Sequence, residues 1–142
     1  MSQPYALLRS LLTVGAGLLD SDPAAVARSK WLTAVTPLLG EPAAAVLGHL
    51  LGLDFAAHEE LRGLLGEPRQ LRDRAFFHAG QLMRAWVARD AHPVVAVLDD
   101  LHWADDGTLD FVDHLLANHA DLPLLLVVLT RPTLAERRPG WL

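Results

Sequence analysis

The chain has 142 residues, 51% of them hydrophobic and 20% charged, which is the balance of a globular core rather than a disordered segment. A net charge of −5 gives no overall field favouring nucleic-acid phosphates, although Arg69, Arg72 and Arg74 could form a local basic patch, so direct nucleic-acid binding is not expected. The absence of cysteine excludes disulfides and thiolate metal sites and fits a cytoplasmic location. The longest apolar stretches are far shorter than the roughly 20 residues of a bilayer span, and Arg9 interrupts the apolar start, so neither a membrane segment nor a secretory leader is expected.

Pro4 suits a first helical position, and Tyr5, Leu8, Leu11, Leu12, Leu18 and Leu19 form a 3.6-residue stripe running to Asp20. A second helix is expected from Ala24 to Val35, stopped by Pro37 and Gly40. A third begins at Glu41-Pro42 and runs through AAAVLGHLLGL, and Asp54 offers a cap for a short fourth ending near Gly66. Arg69 to Asp90 gives the clearest helical pattern, with Leu71, Ala75, Ala79, Leu82, Met83, Trp86 and Val87 three or four apart. Phe76, Phe77 and Trp86 read as core aromatics of that helix.

The texture changes at Pro93-Val94-Val95-Ala96-Val97-Leu98, a β-branched run without polar alternation, as expected of a strand covered on both faces in a parallel sheet. A helix capped by Asp105 or Asp106 follows, then a second apolar run, Pro123 to Leu129. Strand, helix, strand is a βαβ unit with parallel neighbours. The tail RPTLAERRPGWL is loop or short helix, with Arg137 and Arg138 read as a solvated basic turn.

Ligands of parallel α/β sheets gather at the carboxyl ends of the strands, which directs attention to Asp99 and Asp100. Two acids ending an apolar strand form the pattern of a Walker B element, where the first helps hold Mg²⁺ and the second orients or deprotonates a water. Period-two alternation would send the two carboxylates to opposite sides. The same pair is also a common turn or helix cap. Thr130-Arg131 ends the second strand, where a guanidinium suits a terminal phosphate.

VVAVLDDLHWADDGTLDFVDHLL followed by PLLLVVLTRPTLAERRPGW closely resembles the AAA-like ATPase module of large bacterial regulators: class III adenylate or guanylate cyclases with an attached ATPase and helical-repeat region, and large ATP-binding LuxR-type transcription activators. PYALLRSLL, VLGHLLGLD and RQLRDRAFFHAGQLMRAW resemble further segments of that module, so the likeness extends over nearly the whole chain. The resemblance implies a partial P-loop NTPase three-layer α/β fold over 1–142, divided into a helical segment (1–68) and a helix–strand–helix–strand part with its tail (69–142). It makes Asp99 the Mg²⁺-associated acid, Asp100 the water-activating or sensing acid and Arg131 the sensor of the terminal phosphate, with ATP and Mg²⁺ as cofactors of the intact module. Asp100 stands where glutamate is usual in AAA enzymes, and it reaches one methylene less far.

No GxxxxGK[ST] occurs in the 142 residues, and the single lysine, Lys30, has no glycine before it. Backbone cradle and phosphate lysine are therefore both missing, and the chain alone is expected not to bind ATP. The expected partners are a phosphate-loop segment on the N-terminal side and a lid or helical-repeat region on the C-terminal side. The other reading is a non-enzymatic scaffold that keeps the fold without the nucleotide. His102 and Trp103 are read as a packed turn, with a wall of the nucleotide crevice as the functional counterpart. A metal hydrolase built on Asp99, Asp100 and His102 is the third possibility, and the spacing of the histidines does not favour it.

Overall fold

The computed structural model describes residues 4–141, so the extreme ends of the expected domain, Met1–Gln3 and Leu142, lie outside it. The chain divides into two compact units: one holds the residues up to Leu7 and from Val87 onward, the other Leu8–Trp86.

In the second of these, α1 (Ala6–Gly15) stops short of the expected Asp20. Gly17 takes a left-handed φ of 74°, and the Leu18 and Gly17 amides donate back to Thr13 and Val14 carbonyls, closing the helix in the way that only a residue free of a Cβ penalty allows cheaply. Helix α2 (Ala24–Leu39) runs past Pro37 and ends at Gly40, which turns at φ 89°. Its Trp31 is fully buried and donates Nε1–H to the Ala44 carbonyl of α3 (Glu41–Leu50) at 2.8 Å, so the indole is satisfied as well as packed.

The short α4 (Glu59–Arg62) is capped by the Nδ1 of His58, which accepts from the Glu60 amide at 3.2 Å. Asp54 is not its cap; its carbonyl accepts instead from Arg28, whose guanidinium lies over the Phe55 ring. Helix α5 (Pro68–Asp90) matches the expected pattern, burying Ala75, Phe76, Ala79, Leu82, Met83 and Val87. Phe77 departs from it: the ring is more than half exposed, because it falls one position off the buried stripe.

The other unit carries β1 (Val94–Leu98), a 3-10 turn (Leu101–Trp103), α6 (Asp106–Asn118), β2 (Leu124–Val128) and α7 (Thr133–Arg137). β1 and β2 pair in parallel, with Val94 opposite Leu124 and Leu98 opposite Val128, as the strand–helix–strand pattern requires. The molecule is thus a helix-rich α/β fold with two parallel strands. Leu98, Leu101, Leu109, Val112 and Leu134 form the core of this unit, with Leu7, Leu126 and Val128 packed against it. Each such fully buried side chain contributes roughly 1.5–3 kcal/mol relative to exposure.

Cover is one-sided. On the far face Val95, Val97, Leu125, Val127 and Leu129 are all exposed, so the expectation of strands covered on both faces is met on one face only. No described helix is long and apolar enough to cross a membrane.

Candidate functional site

The parallel register decides where the candidate residues emerge. Past Leu98 and Val128 the two strands are still tied, the Leu129 amide donating to Leu98 O at 2.9 Å and the Leu101 amide to Leu129 O at 3.1 Å. Asp99-Asp100 and Thr130-Arg131 therefore leave the sheet at the same, carboxyl edge.

Asp99 and Asp100 line one open cavity of about 190 Å³ with Ala6, Leu7, Val97, Leu98, Leu101, Ala104 and Thr108. Alternation does not send them apart, because β1 ends at Leu98 and Asp100 adopts a left-handed conformation (φ 52°, ψ 37°) that turns the chain into the 3-10 turn. Aspartate tolerates that conformation better than most residues do. Asp99 commits one oxygen: its Oδ1 accepts from the Asp100 amide at 2.8 Å. Both acids are otherwise exposed. Arg131 is brought to the same edge, but it does not line the cavity; it is exposed, while its carbonyl accepts from the Leu134 amide and starts α7.

A few residues further on, Asp105 is occupied in a way that nothing near it in sequence could announce. Its carboxylate caps α6 by accepting from the Thr108 amide (3.0 Å) and hydroxyl (2.7 Å), and it also accepts from the Tyr5 amide (2.8 Å) and the Ala6 amide (3.2 Å) at the start of α1. The Leu7 amide donates to Thr108 Oγ1 at 3.3 Å. Burial pushes the Asp105 carboxyl up, but the bonds from Thr108, Tyr5 and Ala6 outweigh it and hold the group below its ordinary value. Gly107 lets the Tyr5 ring lie against the helix; a Cβ there would stand 2.5 Å from the ring. Of the two acids expected to cap α6, Asp105 does so, and Asp106 is exposed.

The family model for the AAA ATPase domain matches residues 2–128, most of the chain. The chain belongs to the AAA ATPase domain family. No curated protein and no solved structure matches it.

In this AAA domain the fit to Mg²⁺ and ATP divides in two. A carboxylate with a free oxygen beside a second exposed carboxylate fits a hydrated Mg²⁺, which takes one or two protein carboxylates and leaves its other positions to water and phosphate. For the triphosphate the described residues of this site supply no cradle of their own. The cavity is smaller than the roughly 300–1,000 Å³ of a typical ligand pocket. The helix-start amides of Tyr5, Ala6 and Leu7 are engaged by Asp105 and Thr108, and Lys30 is bound through both oxygens of Asp22 at 2.8 and 2.9 Å. The Lys30 ammonium, assisted by the Leu19 amide, holds the Asp22 carboxyl below its ordinary value.

Two readings of the tail and turn change with the structure. Arg138 is not a solvated basic residue: it is half-buried and pairs with Asp110, with Asp113 at 3.3 Å and with Asp106 at 3.9 Å. Arg137 donates to the Ala104 carbonyl at 2.6 Å and so ties α7 to the turn after the acid pair. His102 is buried while Trp103 is 72% exposed, which makes the turn packed on one side only. Among the described residues no group of three His, Asp or Glu side chains is arranged to hold a metal by itself, Asp99, Asp100 and His102 included.

Proposed function

We propose that this chain is the Mg²⁺-facing part of an ATP-binding and ATP-hydrolysing switch in a cytoplasmic bacterial signalling protein, of the cyclase-associated or LuxR-type regulator kind. Its phosphate cradle would come from a separate segment bearing GxxxxGK[ST]. The observation that carries the reading is the common edge of the acid pair and Arg131, fixed by the parallel pairing of β1 with β2. Asp99 would hold Mg²⁺ through the oxygen that the Asp100 amide leaves free. Asp100 would orient the attacking water, and Arg131 would meet charge on the terminal phosphate. Bound Mg²⁺ supplies neutralisation of phosphate charge. The exposed apolar face of the sheet, Val95, Val97, Leu125, Val127 and Leu129, also supports a further segment of the parent module, since parallel strands of this composition are ordinarily covered on both sides.

The second reading, a scaffold without nucleotide, is favoured by one observation: the amides at the start of α1 are already taken by Asp105 and Thr108. One experiment separates the two. Binding of a fluorescent ATP analogue and ATP turnover are measured for the chain alone and for the chain fused behind an AAA segment carrying the phosphate loop. The switch reading expects neither alone, both in the fusion, and a loss of turnover on the order of a hundredfold for Asp99→Asn or Arg131→Ala. A fusion whose turnover is untouched by both substitutions would leave only the scaffold.

A further inference from the structure

His102 is the buried polar side chain that the reading above leaves unused. Its side chain is 5% exposed, and among the described residues neither Nδ1 nor Nε2 has a hydrogen-bond partner. A neutral imidazole offers one donor and one acceptor, and burying both unmade is an arrangement that native structures avoid unless a partner is close at hand. One is: Asp100 Oδ1 stands 4.0 Å from His102 Nε2. That separation is too long for a hydrogen bond.

Both sides of the pair are prepared to close it. The left-handed backbone at Asp100 and the 3-10 turn after it bring the ring of residue 102 back toward the side chain of residue 100, while Leu101 anchors the turn in the core. The ring is buried and lies tilted at 44° to that of Trp103, with centroids 5.2 Å apart. The carboxylate is the freer partner, since the Asp100 side chain is 69% exposed and no hydrogen bond to its oxygens occurs among the described residues. An exposed carboxylate turns about its side-chain torsions without moving the backbone, and a turn that carries Oδ1 toward Nε2 is all that closing the pair requires.

We propose that His102 is the positioning residue of Asp100, donating Nε2–H to Oδ1 and so fixing which oxygen of Asp100 faces the cavity. The donor must then be Nε2 and the bare nitrogen Nδ1, because the buried ring presents Nε2 to the carboxylate. What the fixed orientation is for, holding a water in the cavity that Asp100 lines, rests on the switch reading; the pair itself does not.

Long-range ¹H–¹⁵N correlation spectra of the 142-residue chain test the pair directly, with His102→Gln identifying its ring among the seven histidines. The expected result is the Nε2–H tautomer with a slowly exchanging ring proton, lost in Asp100→Gly, which removes the carboxylate and suits a positive φ. An Nδ1–H tautomer in the wild-type chain, or a ring proton unchanged in Asp100→Gly, would overturn the proposal. Should Asp100→Gly fail to fold, Asp100→Asn replaces a charged acceptor by a neutral one and should move the proton upfield; no movement would count against the pair. In the fusion carrying the phosphate loop, His102→Leu should lose turnover as Asp100→Asn does, whereas His102→Gln, which retains a donor near the Nε2 position, should keep it. An intact pair in the spectra with an inactive wild-type fusion would sink the switch reading alone, and a missing pair would sink this one alone.

Discussion

Replacing Asp105 by alanine removes one carboxylate from two helix starts at once. The α6 cap, from the Thr108 amide and hydroxyl, is worth about 0.5–2 kcal/mol by comparison with other capping residues. The Tyr5 and Ala6 amides lose a charged acceptor, and with the group half-exposed each bond contributes about 0.5–1 kcal/mol, below the value for buried charge-assisted bonds. The sum is about 1.5–4 kcal/mol. For a chain of 142 residues 1 kcal/mol moves the melting midpoint by about 3–4 °C, so Asp105→Ala should melt about 5–16 °C lower by circular dichroism. Asp106→Ala is the control: its side chain is 81% exposed, and the change should stay within about 0.5 kcal/mol. Because the Asp105 carboxyl is held below its ordinary value in the fold, its stabilisation is fully present above the unfolded-state value near 3.9. It is lost as pH falls through the folded value, so the gap between wild type and variant should close in acid. Equal midpoints for Asp105→Ala and Asp106→Ala at neutral pH would refute the argument.

Three other substitutions probe the same unit. Arg138→Ala removes the cation shared by Asp106, Asp110 and Asp113 and should lower the urea midpoint by an amount equivalent to about 1–2 kcal/mol, with a smaller loss in high salt. Ala91, which follows α5 at a φ of 56°, should gain about 0.5–1 kcal/mol on replacement by glycine, read as a raised melting midpoint. Gly107→Ala forces a methyl into the Tyr5 ring and should cost about 1–3 kcal/mol; combining it with Tyr5→Ala should cost less than the sum of the two single changes.

Where the sequence was informative, the signal was local. The heptad-like spacing of α5 and the unbroken apolar runs of β1 and β2 needed only periodicity, and the observed elements begin and end within a residue or two of the patterns. Leu18 and Leu19 continue the stripe of α1, but Gly17 supplies a cheaper left-handed stop before them. At α4 a histidine ring nitrogen takes the capping place expected of Asp54. The acid pair was legible as an acid pair, and the edge it shares with Arg131 followed from two strands and one helix between them. The tie between Asp105 and Tyr5 spans a sequence separation of 100, and the pairing of Arg138 with α6 one of 25 or more, so no window of neighbouring residues holds either.

That difference sorts the four aspartates of LDDLHWADD, which are chemically identical in the sequence. Asp105 has spent its carboxylate on four donors, and what a ligand could offer it is already supplied by the fold. Asp106 is exposed and meets only the outer edge of the Arg138 cluster. Asp99 keeps one oxygen open, and Asp100 offers the oxygen that His102 does not claim, at the mouth of a cavity where a left-handed backbone reverses the chain. What the fold itself asks of them an asparagine would supply as well: Asp99 accepts from one amide, and the left-handed turn at residue 100 suits either side chain. On the reading proposed above, it is a cation at this edge that asks for acids.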